Sequence, residues 1–359
     1  MTDQETEKII NRGDTLRVTT SQGDKTGNSA LITNKKKKNM KIINTFDKLK
    51  LSTKINNISD LQEDAFLTTT NNGVVISHKF VQEHPFYVLI LADMNHSELV
   101  IEFTGKVLLD DYPSLINSKT IRRCLQNIND IGVCRLNIDG ILADAQVLKA
   151  DVTKDVKVEC DCDITDTIRR NLTDYKKWVV KEYPTDNGIV VENTVKTPRY
   201  KKRLTIYDKG KEIALGDNAE FLNALKDRQR VLSYFADKKR FELNINTKSG
   251  IRTLLNVPDN KLSTVLAATA NPLLTVIDKA VKPLTSASSS VGTIREYEHG
   301  LLIKECENDM VAVEATLRQF YSCTQAVKRA LNKYRDIANK MRSEAQNEGC
   351  YQNIRDLVA

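Results

Sequence analysis

The sequence predicts an α+β protein with a central, largely antiparallel sheet and flanking helices, followed by a C-terminal helical region. Two observations lead to this prediction. Between residues 41 and 255, short stretches rich in β-branched and aromatic residues alternate with polar turns, which is typical of strands joined by hairpins. From Met310 to Met341, non-polar residues recur at alternating spacings of three and four, which indicates a long helix with a heptad pattern.

The composition favours a soluble globular protein. Of the 359 residues, 40% are hydrophobic and 28% are charged, and no apolar run approaches the ~18 residues that a membrane-spanning helix needs. The N-terminus lacks the basic and apolar segments of a signal peptide, and the seven cysteines are scattered without zinc-binding spacing. We therefore expect a cytoplasmic protein with reduced thiols.

The elements follow in order along the chain. Residues 1–40 are polar and basic without a sustained period, so we expect a disordered arm before the folded part. After a first strand-like stretch that begins at Ile42, strands are predicted at 73–80, 85–93, 97–104, 146–153, 203–208 and 240–247. Helices are predicted at 114–131, 165–181 and 218–237 from apolar residues at helical spacing. The chain thus divides into an arm (1–40), a sheet domain (41–255) and a helical region (256–359).

The helical region contains a small-residue stretch at 281–293, which we predict to be a linker. Two arrangements remain open for the heptad stretch that follows it. The stretch forms a coiled-coil dimer helix, or it packs within its own chain against the apolar helices predicted at 262–281.

Residues 203–215 (RLTIYDKGKEIAL) carry a tyrosine and a lysine two positions apart. Side chains alternate along a strand, so Tyr207 and Lys209 would share one face about 6–7 Å apart, near enough to contact one phosphate group. A tyrosine with the reference pKa of about 10 needs a neighbouring cation or metal ion to attack at neutral pH. The spacing alone favours the plainer interpretation, a strand tyrosine packed over a lysine stem.

A basic run precedes this strand in a chain whose formal net charge is +7. Its members are Lys196, Arg199, Lys201, Lys202 and Arg203. A charge run is commonly a solvated loop. Here it leads directly into the strand that carries Tyr207, so contact with nucleic-acid phosphates is the competing interpretation.

The stretch at 203–213 resembles the tyrosine-bearing segment of the filamentous-phage gene II family of replication initiators. Some plasmid initiators share that segment, and the family is related to the HUH endonucleases. The matching positions are Arg203, Leu204, Ile206, Tyr207, Lys209 and Glu212. Four further segments are similar to segments of the family in the same order: FDKLKLSTKI (46–55), LVIEFTGKVL (99–108), VLKADVTKD (147–155) and RFELNINTK (240–248). The resemblance covers roughly residues 45–250.

The resemblance implies a rolling-circle replication initiator with an HUH/Rep-like fold, acting in the cytoplasm of a bacterial host. Tyr207 would attack a scissile phosphate in single-stranded or extruded origin DNA, forming a covalent 5′-phosphotyrosine link and leaving a 3′-hydroxyl. Lys209 would position the phosphate, and the basic run would contact phosphates beside the nick. The C-terminal helices would support homodimerisation, origin binding or recruitment of host helicase and polymerase.

The metal site departs from the family pattern. HUH enzymes usually carry a His-x-His pair, and this chain has none. Carboxylates would then bind a hard ion, Mg²⁺ or Mn²⁺, and the candidate ligands are Glu102, Asp151, Glu212 and Asp111. Glu102 and Asp151 fall within apolar strands, where an unpaired acid is costly. For each acid the alternative is a salt bridge to a nearby lysine or arginine.

Three other functions stay open. A relaxase of a mobilisable element would use the same nicking chemistry. A catalytically inactive DNA-binding or repressor protein of the same fold would explain the missing histidine pair, although the presence of Tyr207, Lys209, Asp151 and Glu102 together argues against it. A helical scaffold protein would explain the heptad region and would leave the strand-rich region without a role.

Overall fold

The structure is a computed structural model that describes residues 43–157, 164–172, 177–183, 187–197, 200–281, 292–343 and 350–359. The arm predicted at 1–40 and most of the linker predicted at 281–293 lie outside these residues. The strands are β1 (Phe46–Lys54), β2 (Ile58–Ser59), β3 (Leu67–Asn71), β4 (Val74–Gln82), β5 (Val88–Asp93), β6 (Glu98–Thr104), β7 (Arg135–Leu136), β8 (Gln146–Lys157), β9 (Trp178–Glu182), β10 (Gly188–Asn193), β11 (Arg203–Asp208) and β12 (Lys238–Ile245).

Within these described ranges, ten strands form one sheet in the order β3-β4-β5-β6-β1-β8-β12-β11-β10-β9, and β2 pairs with β7 separately. The neighbouring strands of the large sheet all pair antiparallel. The α+β class and the antiparallel sheet predicted from the sequence are therefore confirmed.

The sheet consists of two halves with the same strand order. In the first half, β1 lies at the centre and the hairpin series β3 to β6 returns to pair with it; in the second half, β8 lies at the centre and the series β9 to β12 returns in the same way. The two central strands, β1 and β8, pair antiparallel and join the halves. Each half is contiguous in the sequence, so the sheet repeats one topology twice.

The helices are α1 (Ile121–Asn129), α2 (Ile138–Asp144), α3 (Ile164–Arg170), α4 (Lys209–Ile213), α5 (Ala219–Ala224), α6 (Arg228–Phe235), α7 (Lys248–Leu255), α8 (Leu262–Leu266), α9 (Pro272–Ala280), α10 (Ile294–Glu305), α11 (Met310–Phe320), α12 (Thr324–Ser343) and α13 (Cys350–Val358). A further 3₁₀ helix spans Gly105–Ser114. None of the helices in the described part of the chain is long and apolar enough to cross a lipid bilayer.

One face of the sheet is apolar and carries the main core. A row of buried side chains crosses five strands in register: Val88, Phe103, Leu49, Ala150 and Ile245. Side chains of α1, α2, α3, α7, α8, α9 and α13 belong to the same core. Burying one large aliphatic or aromatic side chain contributes roughly 1.5–3 kcal/mol, so this face holds the sheet and its helices together.

Three predicted helices differ from the observed ones. The helix predicted at 165–181 ends at Arg170, and Trp178 begins strand β9 instead, because its side chain packs into the main core from the sheet. The helix predicted at 218–237 is divided into α5 and α6, and the Asp227 side chain caps the second by accepting from the Arg230 N–H. The helix predicted at 114–131 is shorter and becomes α1.

The helical region predicted at 256–359 is divided between two cores. Helices α8, α9 and α13 contribute to the core under the sheet, whereas α10, α11 and α12 form a separate core. The heptad stretch is two helices, since the backbone at Tyr321 is extended between α11 and α12. Its apolar spacing persists because both helices turn one side toward the same small core. The partner within the chain is α10, and not the helices at 262–281.

Candidate active site on the polar face of the sheet

The opposite face of the sheet is polar, and we call it the polar face. Side chains alternate along each strand, so residues paired in register share a face. One row of this face runs Asp155, Arg240, Tyr207 and Gly188 across β8, β12, β11 and β10. The next rows place Glu242 beside Thr205, and Asp151 between Lys48 and Asn244. Sheet register therefore brings together charged residues that are far apart in sequence.

Tyr207 lies on this face near the end of β11 and is only 5% exposed. Its hydroxyl donates to Glu242 Oε2 at 3.3 Å. The ring of Tyr183 stacks on the ring of Tyr207 with centroids 4.9 Å apart and planes 10° apart. Gly188 is the register partner of Tyr207, and a Cβ there would lie 2.6 Å from Tyr207 Cα, so only glycine fits beside the tyrosine. Burial raises the pKa of Tyr207 well above its ordinary value, so the resting phenol is protonated.

Lys209 reaches Tyr207 by a different route from the one that the sequence predicts. The strand ends at Asp208, whose side chain accepts from the Lys211 N–H and caps α4, so Lys209 begins a helix and does not continue the strand. Gly210 permits this turn, because a Cβ there would lie 2.7 Å from the Phe235 carbonyl oxygen. The prediction that Tyr207 and Lys209 lie on one face of the same strand is therefore wrong.

The Lys209 ammonium is nevertheless close to the tyrosine. Its Nζ lies 5.8 Å from the centre of the Tyr207 ring and 5.3 Å from that of Tyr112. The side chain is 2% exposed and forms an ion pair with Glu212. Burial lowers the pKa of Lys209, and the neighbouring Arg240 charge lowers it further. Glu212, a candidate metal ligand from the sequence, is thus the counter-ion of this lysine.

Arg240 is the centre of a buried ion-pair network beneath the tyrosine. The fully buried guanidinium donates from Nε and Nη2 to the two carboxylate oxygens of Asp155 at 2.6 and 2.8 Å. Its Nη1 donates to Asp47 Oδ1 at 2.9 Å and to the Tyr112 hydroxyl at 2.6 Å. Asp47 and Tyr112 come from the first half of the chain, so this network joins the two halves of the sheet.

Two other predicted ligands have basic partners. Glu102 accepts from Lys48 at 2.8 Å and from Lys50 at 3.1 Å, and these lysines hold the pKa of its carboxyl below the ordinary value even though burial acts in the opposite direction. Asp111 forms ion pairs with Arg123 and Arg230. The described contacts of Asp111 include none with Tyr207 or Lys209, so the structure does not bring it to this cluster.

Asp151 and Glu242 differ from these acids, because within the described residues neither forms an ion pair. Asp151 accepts from the Asn244 amide at 2.7 Å. Burial raises the pKa of Asp151 to about 6, and burial together with the neighbouring Asp47 and Asp151 carboxylates raises that of Glu242 to about 8. The two acids are diagonal neighbours on adjacent strands. Lys48 acts on Asp151, and Arg240 and Lys209 act on Glu242, without forming an ion pair. Crowded acids of this kind are suited to a bound cation.

A divalent cation fits this pair only in part. Among the described residues, no three carboxylate, histidine or cysteine side chains converge closely enough to hold a metal ion. Mg²⁺, however, often binds through one or two carboxylates, with waters and substrate phosphate completing its octahedron. Asp151 and Glu242 match that donor set. Of the four ligands predicted from the sequence, Asp151 alone belongs to this pair.

The basic run lies at the other end of β11. Lys196 and Arg203 are exposed and Lys201 and Lys202 are half-buried, while Arg199 lies outside the described residues. Lys201 Nζ is 3.3 Å from Glu192, which also forms an ion pair with Lys181. Because Glu192 is shared by Lys181 and Lys201, this group of three side chains carries a net positive charge at this end of the polar face.

Sequence reasoning included Arg240 and Glu242 in a family-like segment but gave them no role in the site. The signal was present in RFELNI at 240–245, where charged and polar residues alternate with buried apolar ones. Tyr183, Tyr112 and Asp47 carried no comparable signal, because only the fold brings them to Tyr207 and Arg240. Comparison of the chain with protein-family models and with curated proteins found no match.

Proposed function

We propose that this protein is a rolling-circle replication initiator of HUH/Rep-like fold, a DNA-nicking and rejoining enzyme with Tyr207 as its nucleophile. The observation that carries the proposal is the hydrogen bond from the Tyr207 hydroxyl to Glu242, an acid that forms no ion pair among the described residues. The buried Lys209 lies beside the same tyrosine ring on the polar face. The resemblance of the segment around Tyr207 to the phage and plasmid initiators supports the same conclusion.

The proposed reaction is a transesterification. Tyr207 Oη attacks the scissile phosphorus, the bond from phosphorus to the 3′ oxygen breaks, and a 5′-phosphotyrosine forms. The Glu242 carboxylate accepts the phenolic proton, and the departing 3′ oxygen takes a proton from solvent to become a free 3′-hydroxyl. Rejoining reverses each step, with the 3′-hydroxyl attacking the phosphotyrosine. No net hydrolysis or outside energy source is required.

Tyr207 needs this assistance because its resting pKa is raised by burial. The buried Arg240 guanidinium favours the phenolate electrostatically, and the Lys209 ammonium lies 5.8 Å from the centre of the ring. Because the pKa of Glu242 is about 8, the fraction of Glu242 that is ionised and can accept the phenolic proton increases as the pH rises through 8.

Mg²⁺ or Mn²⁺ would be held by Asp151 and Glu242 together with the substrate phosphate. When bound, the ion supplies positive charge against the charge that develops on the phosphate oxygens. Glu242 has two oxygens, so one remains for the cation while Oε2 accepts from Tyr207. Glu102 and Glu212 serve as counter-ions of lysines in this proposal.

The substrate proposed is single-stranded or extruded origin DNA. Lys201, Lys202 and Arg203 lie on the segment that leads into β11 and can contact its phosphates. The separate helical core of α10 to α12 is the part available for a second copy of the chain, or for host helicase and polymerase.

The test is formation of a covalent adduct. The protein is incubated with labelled single-stranded oligonucleotides from candidate origins and Mn²⁺, and adducts that survive SDS are measured. We expect Tyr207→Phe to abolish the adduct while retaining oligonucleotide binding. Tyr183→Phe, which keeps the stacked ring, is the matched control and should still form adduct. Undiminished adduct in Tyr207→Phe would refute the assignment. A relaxase would give the same adduct with transfer-origin DNA.

A DNA-binding protein without nicking activity is the second candidate. The observation that favours it is the burial of Tyr207 beneath Tyr183, which keeps the hydroxyl away from a phosphate in the resting structure. Tight oligonucleotide binding with no adduct from any candidate origin would support this function over the first.

A further inference from the structure

A small cavity lies where β11 begins and β12 passes into α7. Its volume is about 190 Å³. The segment before β11 contributes Tyr200, Lys201 and Lys202, the end of β12 contributes Asn244, and the first turn of α7 contributes Ser249. No carboxylate is among the residues that line it. The charged residues of the lining are therefore all basic.

The charge of this cavity is not neutralised. Within the described residues no acid forms an ion pair with Lys202, and another cation, Lys279 of α9, acts on it. Burial and then Lys279 lower the pKa of Lys202. Lys201 shares the single acid Glu192 with Lys181. Two half-buried lysines that face a cavity without sufficient acid are suited to an anionic ligand.

Two further features favour a nucleotide over a simple anion. The first turn of α7 opens on the cavity, and the N-terminus of a helix adds a partial positive charge, although the Gly250 N–H already donates to the Thr247 side chain. Tyr200 is 57% exposed, so its ring offers an open surface on which an unpaired base can stack. Groups suited to a phosphate (Lys202 and the first turn of α7) and a ring suited to a base (Tyr200) therefore line the same cavity.

We propose that this cavity binds one nucleotide of single-stranded DNA, with its phosphate between Lys202 and the first turn of α7 and its base stacked on Tyr200. The proposal rests on the proposed function and deepens it. Lys202 lines the cavity and precedes Tyr207 by five residues, which is about 16 Å along an extended strand. The cavity thus holds a nucleotide near the scissile phosphate and not that phosphate itself.

The experiment measures binding without chemistry. The full chain carrying Tyr207→Phe is titrated with a labelled single-stranded oligonucleotide at several salt concentrations, and affinity is followed by fluorescence anisotropy. Tyr200→Ala, Tyr200→Phe and Lys202→Gln are compared in this background. Tyr321→Ala and Lys304→Gln, an exposed tyrosine and an exposed lysine of the separate helical core, are the matched controls.

We expect Tyr200→Ala to weaken binding roughly fivefold to a hundredfold, the range measured for loss of one stacked base, and Tyr200→Phe to bind normally. Lys202→Gln should reduce the slope of log affinity against log salt by about 0.7, the value for one phosphate contact to a single strand. The controls should change neither quantity. Unchanged affinity in Tyr200→Ala, an unchanged slope in Lys202→Gln, or equal loss of blunt-duplex binding in Tyr200→Ala would overturn the proposal.

This result is separable from the nicking test. If Tyr200→Ala weakens binding and the chain with native Tyr207 forms no adduct, nucleotide binding in the cavity is supported and the nicking function is refuted. If the adduct forms and Tyr200→Ala binds the oligonucleotide normally, the nicking function is supported and nucleotide binding in the cavity is refuted.

Discussion

The two halves of the sheet share one strand order but use their polar faces differently. In the first half, Glu102 on β6 lies between Lys48 and Lys50 and is fully paired. In the second half, Glu242 occupies the corresponding strand, β12, and its described contact is with Tyr207. Burial therefore does not by itself distinguish the acid that we propose to act in catalysis from the one paired with lysines. The presence or absence of a cationic partner does.

The largest expected effect on stability comes from replacing Arg240, the buried cation of the second half. Arg240→Met removes a fully buried guanidinium and takes from Asp47 and Asp155 their paired arginine, so we expect a loss of about 3–5 kcal/mol in the free energy of unfolding. Urea denaturation of the full chain measures it. A loss below about 1 kcal/mol would show that the network does not hold the two halves together.

The next effect comes from removing one hydroxyl group from that network, which contacts both Arg240 and Asp47. Tyr112→Phe removes the hydroxyl that accepts from Arg240 and keeps the ring, which packs on Phe221 and Phe235. Because the lost bond involves a charged group, we expect about 1.5–3 kcal/mol of destabilisation in the same measurement. Tyr297→Phe, in the separate helical core, is the control and should unfold like the parent chain.

The two acids should respond to pH in opposite directions. The folded pKa of Glu242, about 8, exceeds its unfolded value of 4.5, so the folded state binds more protons between these values and stability falls as pH rises through this window. Glu242→Gln should remove that fall and unfold at a higher temperature than the parent chain at pH 9. The pKa of Glu102 is lowered, so its contribution is present above pH 4.5, and Glu102→Gln should be less stable at neutral pH. Thermal unfolding from pH 3 to 9 measures both.

A cation should act on one of these acids only. We expect Mn²⁺ at pH 8 to raise the unfolding temperature of the parent chain and of Glu102→Gln, and to leave Glu242→Gln nearly unchanged. Equal stabilisation of Glu242→Gln would place the ion elsewhere on the protein.

The smallest expected effect belongs to the first half. Lys50→Met leaves Glu102 paired with Lys48, and partly exposed ion pairs contribute little, so the loss should be at most about 1 kcal/mol. A loss as large as that of Arg240→Met would remove the distinction between the halves.

Local pattern was sufficient to predict seven of the ten strands of the large sheet, including the one that carries Tyr207, because the alternation of apolar and polar side chains shows in neighbouring residues. It missed β3, β9 and β10. It failed where partners are distant. Lys48 and Lys50 pair with Glu102 through sheet register, about fifty residues away in the chain, so sequence could not tell this paired acid from Asp151. The strand prediction for Lys209 failed because Asp208 caps a helix. The long heptad helix failed because periodicity reports a shared apolar side and is insensitive to a break at Tyr321.

The seam between β1 and β8 has a consequence for protein engineering. Each half of the sheet is a continuous piece of chain, and the halves meet through backbone pairing that needs no covalent link. A split protein divided between α1 and β8 would keep every strand of each half together. Asp47 and Tyr112 would then come from one fragment and Arg240 and Tyr207 from the other. Reassembly of the two fragments could thus be detected by recovery of the Arg240 network and of the candidate site around Tyr207.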